Sequence, residues 1–248
     1  MTEGAHAQRD PELGYRAAMP TFDEATDPYC LRAGESARLL AGHPWRRFVV
    51  LGDSVAEGLA EPVEGYSELQ LADRLAAELE AACPQLKYLN LGHRGLRARE
   101  VRAEQLAPAL DFGPDLALVV CGGNDAFPAT YKPEQVDEEL TAMVTALQEA
   151  GAEVITVGIY NVSYSPVIAD WLRPGLRERM ATLSQRTGAL AAKLGTLHLD
   201  LSAHPAVTDP SLYSSDGRHG NARSDAIAVA EAVRMLGAHL AGSPARRS

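Results

Sequence analysis

Hydrophobic residues in this chain fall into short continuous runs separated by longer segments with helical spacing. Residues 48–51 and 115–121 are almost entirely apolar, with no alternation between apolar and polar positions. Such runs are typical of strands that are buried on both faces, as in a parallel sheet. Between them, Leu71, Leu75 and Leu79 repeat every four residues and predict an amphipathic helix.

Extending this pattern along the chain predicts alternating strands and helices. The strands are predicted at residues 45–51, 86–91, 115–121, 153–160 and 196–201. The helices are predicted at residues 34–40, 66–82, 97–110, 133–150, 175–194 and 222–240. This alternation predicts an α/β fold, a three-layer α/β/α sandwich around a five-stranded parallel sheet with right-handed crossovers.

The domain organisation predicted from the same pattern is simple. Residues 1–45 are expected to form an N-terminal arm, mobile or wrapped over the surface, that includes one short helix. Residues 46–242 form the main domain, and residues 243–248 a frayed tail. Within the main domain, residues 161–174 are irregular and bulky. They suit either an apolar lid for an acyl chain or core packing.

Composition narrows the possible functions. A formal net charge of -10 argues against nucleic acid and anionic membranes as partners, since both favour basic surfaces. Three cysteines, Cys30, Cys83 and Cys121, provide neither a disulfide framework nor a metal-binding pair. No spacing of His, Asp or Glu suggests a metal site. With no apolar signal core and no apolar run of about 18 residues, we expect no membrane span and, by default, a cytoplasmic location.

Candidate chemistry lies where the predicted strands end. Ser54 follows the first strand in Gly52-Asp53-Ser54, residues 90–95 follow the second, and residues 122–125 (Gly-Gly-Asn-Asp) follow the third. The loop before the last helix carries residues 215–219 (Ser-Asp-Gly-Arg-His). Each motif alone is an ordinary turn or helix cap. In a parallel sheet, however, the strand ends share one edge, so these groups can converge there.

Together the motifs contain the parts of a serine hydrolase. Ser54, expected to be exposed at the strand end, is the candidate nucleophile. His219 is the candidate base that takes and later returns its proton, and Asp216 would orient the imidazole. The Ser54 and Gly95 N–H groups and the Asn124 amide are candidate oxyanion donors, with Gly92 as the alternative to Gly95.

These motifs resemble the blocks of the SGNH hydrolase superfamily, the GDSL-type esterases and lipases, over roughly residues 48–232. Two departures are visible: Val55 stands where the name-giving motif has Leu, and residues 220–225 replace the usual segment after the histidine. The resemblance implies a flavodoxin-like sheet, no metal or organic cofactor, and ester hydrolysis through an acyl-serine intermediate.

The sequence therefore predicts a serine esterase that acts on a small-molecule ester. An acyltransferase with the same triad and a non-catalytic binding protein on the same fold remain alternatives, and the oligomeric state is left open. Asp53, His93, Tyr160 and Trp171 are assigned to the substrate pocket. Of these, Asp53 is expected to accept backbone N–H groups, and His93 could equally be a solvated corner.

Overall fold

Five strands form a single parallel sheet in the computed structural model, which describes residues 22–242. The strands are β1 (Arg47–Gly52), β2 (Lys87–Asn90), β3 (Leu116–Val120), β4 (Glu153–Gly158) and β5 (Leu197–Asp200). Their spatial order is β2-β1-β3-β4-β5, and every neighbouring pair is parallel. This is the flavodoxin-like order, and it confirms the predicted fold class.

Helices cover both faces of the sheet. The helices are α1 (Glu35–Leu39), α2 (Ser54–Glu57), α3 (Leu71–Ala82), α4 (Ala98–Phe112), α5 (Gly123–Ala126), α6 (Pro133–Glu149), α7 (Arg173–Leu194) and α8 (Ala222–Gly242). Buried residues of α4, α6 and α7 form one hydrophobic cluster together with the start of α8, and those of α3 and the rest of α8 form another. The cores therefore lie on opposite sides of the sheet.

The continuous apolar runs follow from this arrangement. In β1, Val49 and Leu51 belong to the cluster with α4, α6 and α7, whereas Phe48 and Val50 belong to the cluster with α3 and α8. All four side chains are fully buried. Because successive strand residues point to opposite faces, a strand between two helical layers needs apolar residues at every position.

The segment of residues 22–45 packs tightly against the main domain. Cys30 belongs to one hydrophobic cluster, and Leu40 and Trp45 to the other. Asp27 is fully buried and accepts hydrogen bonds from Arg223 Nε at 2.7 Å and Tyr66 Oη at 2.8 Å. The predictions for residues 1–21 of the arm and for the tail at 243–248 lie outside the described residues.

The main difference from the predicted elements is the third helix. It begins at Leu71, five residues later than predicted. Tyr66, where the helix was predicted to begin, is instead buried against residues 22–45 and donates a hydrogen bond to Asp27. The sequence pattern also missed the one-turn helices α2 and α5, which are too short to show a periodicity. Within residues 22–242, no helix has the length and apolar character needed to cross a bilayer.

Candidate active site

The end of β1 places Ser54 at the start of a tight helical turn. Asp53 caps α2, and its carboxylate accepts the N–H of Val55 at 3.1 Å. Gly52 precedes this turn, and a Cβ there would overlap the carbonyl oxygen of Val120 in β3. The turn therefore lies close against the sheet, and Ser54 is only 7% exposed. The sequence predicted that Ser54 is exposed, and this prediction is wrong, because the close approach of the turn to the sheet buries the side chain.

Ser54, His219 and Asp216 form an unbroken line of hydrogen bonds. His219 Nε2 lies 2.8 Å from Ser54 Oγ, and His219 Nδ1 lies 2.5 Å from Asp216 Oδ2. Ser54 comes from the end of β1, whereas the other two residues come from the loop before α8, 165 positions away for His219. The arrangement can transfer a proton from the hydroxyl to the imidazole while the carboxylate holds the ring.

The loop around Asp216 keeps its carboxylate ionised. Its Oδ1 accepts the backbone N–H groups of Arg218 at 2.8 Å and His219 at 3.1 Å. Burial acts to raise the pKa of Asp216, but the hydrogen bonds from the His219 ring and these two N–H groups outweigh it and lower the pKa. An anionic partner for the imidazole is therefore maintained over the neutral pH range.

Gly95 and Asn124 supply donors on the same cleft as Ser54. Gly95 adopts a left-handed φ of 82°, and its N–H bonds to no atom of the described chain. One N–H of the Asn124 amide donates to the carbonyl oxygen of Leu96 at 2.9 Å, which leaves the other for a ligand. These groups, with the Ser54 N–H, can stabilise a developing oxyanion.

Gly92 has a structural role on the same loop. Its N–H donates to Asn90 Oδ1 at 2.9 Å, so it is already occupied. A Cβ at this position would overlap the backbone of Ala56 and Glu57 in α2. Gly92 thus allows the loop after β2 to lie against the turn that carries Ser54. Of the two glycines considered, Gly95 is the one with a free donor.

An open cleft of about 420 Å³ surrounds these groups. It is lined by Asp53, Ser54, Val55, Leu59, Arg94, Gly95, Arg97, Gly123, Asn124, Phe127, Pro128, Ile159, Val162, Met180, Arg218 and His219. The cleft opens at the carboxyl ends of the parallel strands, where open α/β sheets bind their ligands. Within the described residues, no cluster of His, Cys, Asp or Glu has the composition of a metal site.

Residues 50–227 match the GDSL-like Lipase/Acylhydrolase family, well over half of the chain. The chain belongs to this family. This confirms the resemblance drawn from its motifs and identifies the protein as a hydrolase of the esterase and lipase kind.

Solved structures with the same fold include three hydrolases. The GDSL-like chain is 21% identical to the lipase/acylhydrolase from Enterococcus faecalis, with a TM-score of 0.62, covering 78% of this chain and 96% of that one. It is 17% identical to a catalytic mutant of Axe2, an acetylxylan esterase from Geobacillus stearothermophilus (TM-score 0.63; coverage 79% and 95%). It is 20% identical to LAE5, an alpha/beta hydrolase enzyme from the metagenome of Lake Arreo, Spain (TM-score 0.62; coverage 79% and 96%). Among curated protein sequences, none matches the chain.

Three of the residues predicted to contact substrate lie elsewhere in this GDSL-like hydrolase. Trp171 is 80% exposed and outside the cleft wall. Tyr160 donates from its hydroxyl to the carbonyl oxygen of Ser224 at 3.3 Å, which directs the ring towards the start of α8. His93 is a largely exposed side chain with Nδ1 4.0 Å from Glu57. Residues 161–174 were expected to form either a lid or core packing; of these residues, Val162 lines the cleft and Ile168 is buried in the hydrophobic core.

Asp53, the fourth of these residues, does line the cleft. It is almost fully buried, and this burial raises its pKa to about 7, against the hydrogen bond from the Val55 N–H and the attraction of His219. Asp125 opposes ionisation of Asp53 by like-charge repulsion. Asp53 is therefore a buried carboxyl group beside Ser54 whose charge changes near neutral pH.

Gln105 holds the backbone just before Ser54, and no sequence signal pointed to it. This buried residue of α4 accepts the Gly52 N–H on Oε1 at 2.8 Å and donates from Nε2 to the Gly52 carbonyl at 2.9 Å. A single Gln in a helix has no motif to distinguish it. Arg97 and Arg218, which line the cleft together with Arg94, were likewise missed, because folding brings them together from two distant loops.

Proposed function

We propose that this protein is a serine esterase that hydrolyses carboxylic esters of small molecules through an acyl-serine intermediate. The observation that carries the proposal is the continuous line of hydrogen bonds from Ser54 through His219 to Asp216. Membership of the GDSL-like family agrees with it. The acetylxylan esterase and lipase/acylhydrolase among the related folds fit the same class of reaction.

The proposed reaction has two steps, acylation of Ser54 and deacylation by water, and both use the same groups of the cleft. Ser54 Oγ attacks the acyl carbon while its proton passes to His219 Nε2. The carbonyl oxygen becomes an oxyanion, held by the N–H groups of Ser54 and Gly95 and by the Asn124 amide. As the tetrahedral intermediate collapses, the C–O bond to the alcohol breaks and the alcohol takes the proton from His219. Water then attacks the acyl-serine with His219 again as base, and the acid and free serine are released.

Hydrolysis is favoured over acyl transfer by the shape of the site. An acyltransferase must keep water away from its acyl-serine. A lid formed by the bulky residues 161–174 over Ser54 would have favoured this function. In the structure this segment places Trp171 in solvent and only Val162 on the cleft wall. The cleft is open to water beside Ser54.

The decisive experiment compares ester hydrolysis by the native protein and the Ser54→Ala variant. p-Nitrophenyl esters of graded acyl length report turnover, and Ser202→Ala is a matched control at the carboxyl end of another strand of the sheet. We expect Ser54→Ala to lose at least about 10³-fold in kcat and Ser202→Ala to retain full activity. A fluorophosphonate should add one covalent group to the native chain and none to Ser54→Ala.

Two results would change the proposal. Full activity in Ser54→Ala would remove Ser54 as the nucleophile. Release of a single equivalent of p-nitrophenol, followed by turnover only when an alcohol is added, would identify an acyltransferase. The pattern of rates along the acyl series also measures how long an acyl group the cleft accepts.

A further inference from the structure

The wall of the cleft is basic although the chain as a whole is acidic. Three guanidinium groups, from Arg94, Arg97 and Arg218, line the space beside Ser54, and among residues 22–242 Asp53 is the one acidic residue in this lining. The formal net charge of the chain is -10. A cluster of like charges in a cleft raises the local concentration of ligands of the opposite sign.

The three arginines are not equally available to a ligand. Arg94 is bound by Glu57, with Nη2 2.6 Å and Nε 2.9 Å from Oε1, so much of its charge is neutralised. Arg97 also borders a neighbouring groove that contains Glu100 and Asp125, although it forms no ion pair within the described chain. Arg97 therefore keeps part of its charge for the cleft.

Arg218 is the most available of the three. Its guanidinium makes no ion pair and no hydrogen bond with any residue the structure describes, and it lies 4.8 Å from the centre of the Phe127 ring. Stacking over an aromatic ring leaves the edge of the guanidinium free to donate to a planar anionic group. Its sequence neighbour is His219, the residue proposed to protonate the leaving alcohol, so a ligand on Ser54 passes close to it.

Part of the cleft wall is apolar and consists of Phe127, Pro128, Ile159, Val162 and Met180. Arg218 meets this apolar wall at Phe127, so the cleft combines a hydrocarbon surface with an adjacent anion-binding group. An ester without a charged group would leave the guanidinium groups of Arg97 and Arg218 without a ligand, whereas an ester that is both apolar and anionic would contact both parts of the cleft.

We propose that the natural substrate is an ester that carries an anionic oxygen group, a carboxylate or a phosphate, bound by Arg218 and Arg97. The inference rests on the proposed esterase function and names its substrate class. The anionic group lies on one end of the molecule and a hydrocarbon part lies against the apolar wall. The ester bond between them reaches Ser54.

Binding to Ser54→Ala protein tests this without turnover. The affinities of two pairs of esters are measured by titration calorimetry. In the first pair, 4-acetoxybenzoate and its neutral methyl ester, the charge is on the alcohol half of the ester. In the second pair, monoethyl succinate and diethyl succinate, the charge is on the acyl half. We expect the anionic member of at least one pair to bind about tenfold more tightly, the effect of one charge-assisted hydrogen bond. Adding Arg218→Gln should remove this gain, and high salt should weaken it.

The matched control is Arg99→Gln. Arg99 is an exposed arginine of α4 that lines the neighbouring groove and not the cleft, so its loss should leave the gain unchanged. Equal affinity for charged and neutral members of both pairs would overturn the inference, as would a gain that survives both Arg218→Gln and Arg97→Gln.

Turnover by the native enzyme separates this inference from the proposed function. Serine-dependent hydrolysis of neutral and anionic esters at equal kcat/KM would leave the esterase intact and refute the anionic substrate. Arginine-dependent binding of the anionic ester without any serine-dependent hydrolysis would refute the esterase and leave an anion-binding cleft.

Discussion

Replacing Gln105 by leucine should weaken both the stability of the fold and the activity of the site. Gln105 is 3% exposed and makes two hydrogen bonds to Gly52, two residues before Ser54. Leucine keeps a similar volume but removes both bonds. The Gly52 carbonyl still accepts the His93 N–H at 3.1 Å, so the group left without a partner is the Gly52 N–H.

The magnitude follows from that single orphaned donor. A buried N–H without an acceptor costs about 1–3 kcal/mol, and the loss of the second bond adds a smaller amount. We therefore expect Gln105→Leu to lower the free energy of unfolding by about 2–3 kcal/mol. At about 2–4 °C per kcal/mol for a domain of this size, Tm should fall by about 4–12 °C. Because the Ser54 turn is no longer held, kcat should fall by about tenfold or more.

Thermal unfolding and p-nitrophenyl ester kinetics measure the two effects. Gln148→Leu is the matched control: this glutamine donates one hydrogen bond, to the Leu194 carbonyl at 3.0 Å, between α6 and α7 and away from the cleft. It should lose less stability than Gln105→Leu and keep its kcat. A Gln105→Leu variant with native Tm and native kcat would refute the role of Gln105 as a positioning residue.

Gln105→Glu adds a pH-dependent test of the same contact. Only a protonated carboxyl can both accept the Gly52 N–H and donate to the Gly52 carbonyl, so folding should raise the pKa of the introduced carboxyl group. Its stabilising contacts are then present below the unfolded pKa of about 4.3 and are lost as pH rises through the folded pKa. Relative to Gln105→Leu, the Gln105→Glu variant should therefore be more stable in acid and lose that advantage towards neutral pH. An advantage that does not change with pH would contradict the hydrogen-bond geometry.

Two further predictions concern the residues around Ser54. Gly92→Ala should lower Tm far more than Gly95→Ala, because a Cβ at residue 92 overlaps the backbone of α2. A Cβ at residue 95 has open space, so that substitution costs only about 1 kcal/mol for the left-handed φ. The reverse order of Tm values in thermal unfolding would contradict the placement of this loop. Asp53→Asn should become more stable relative to the native protein as pH rises. Burial raises the native Asp53 pKa from 3.8 to about 7, so this group favours the folded state most below pH 3.8 and loses that contribution as pH rises through 7. The free energy of unfolding of the two proteins is measured between pH 3.8 and 7. A difference in this free energy that stays constant with pH would show that Asp53 does not titrate in this range.

Sequence reasoning was sufficient for the sheet, the family and the residues that meet at its edge. Runs such as residues 115–121 have no polar position to place in solvent, so both faces had to be covered. Once the strands were parallel, their carboxyl ends had to share an edge, which brings Ser54 and Asn124 near one another. The Asp216–His219 pair is local, three residues apart, and so could be predicted as a unit.

Only the tertiary structure decided what surrounds that edge. The direction of a side chain after a strand depends on what packs against it, which is why Tyr160 lies under α8 and Trp171 lies in solvent. Gln105 and Arg218 come from separate parts of the chain and carry no local pattern, so only folding brings one to Gly52 and the other to the cleft. The order of strands and helices is encoded in short-range periodicity, whereas the shape and charge of the cleft arise from contacts between distant residues, which no single stretch of sequence contains.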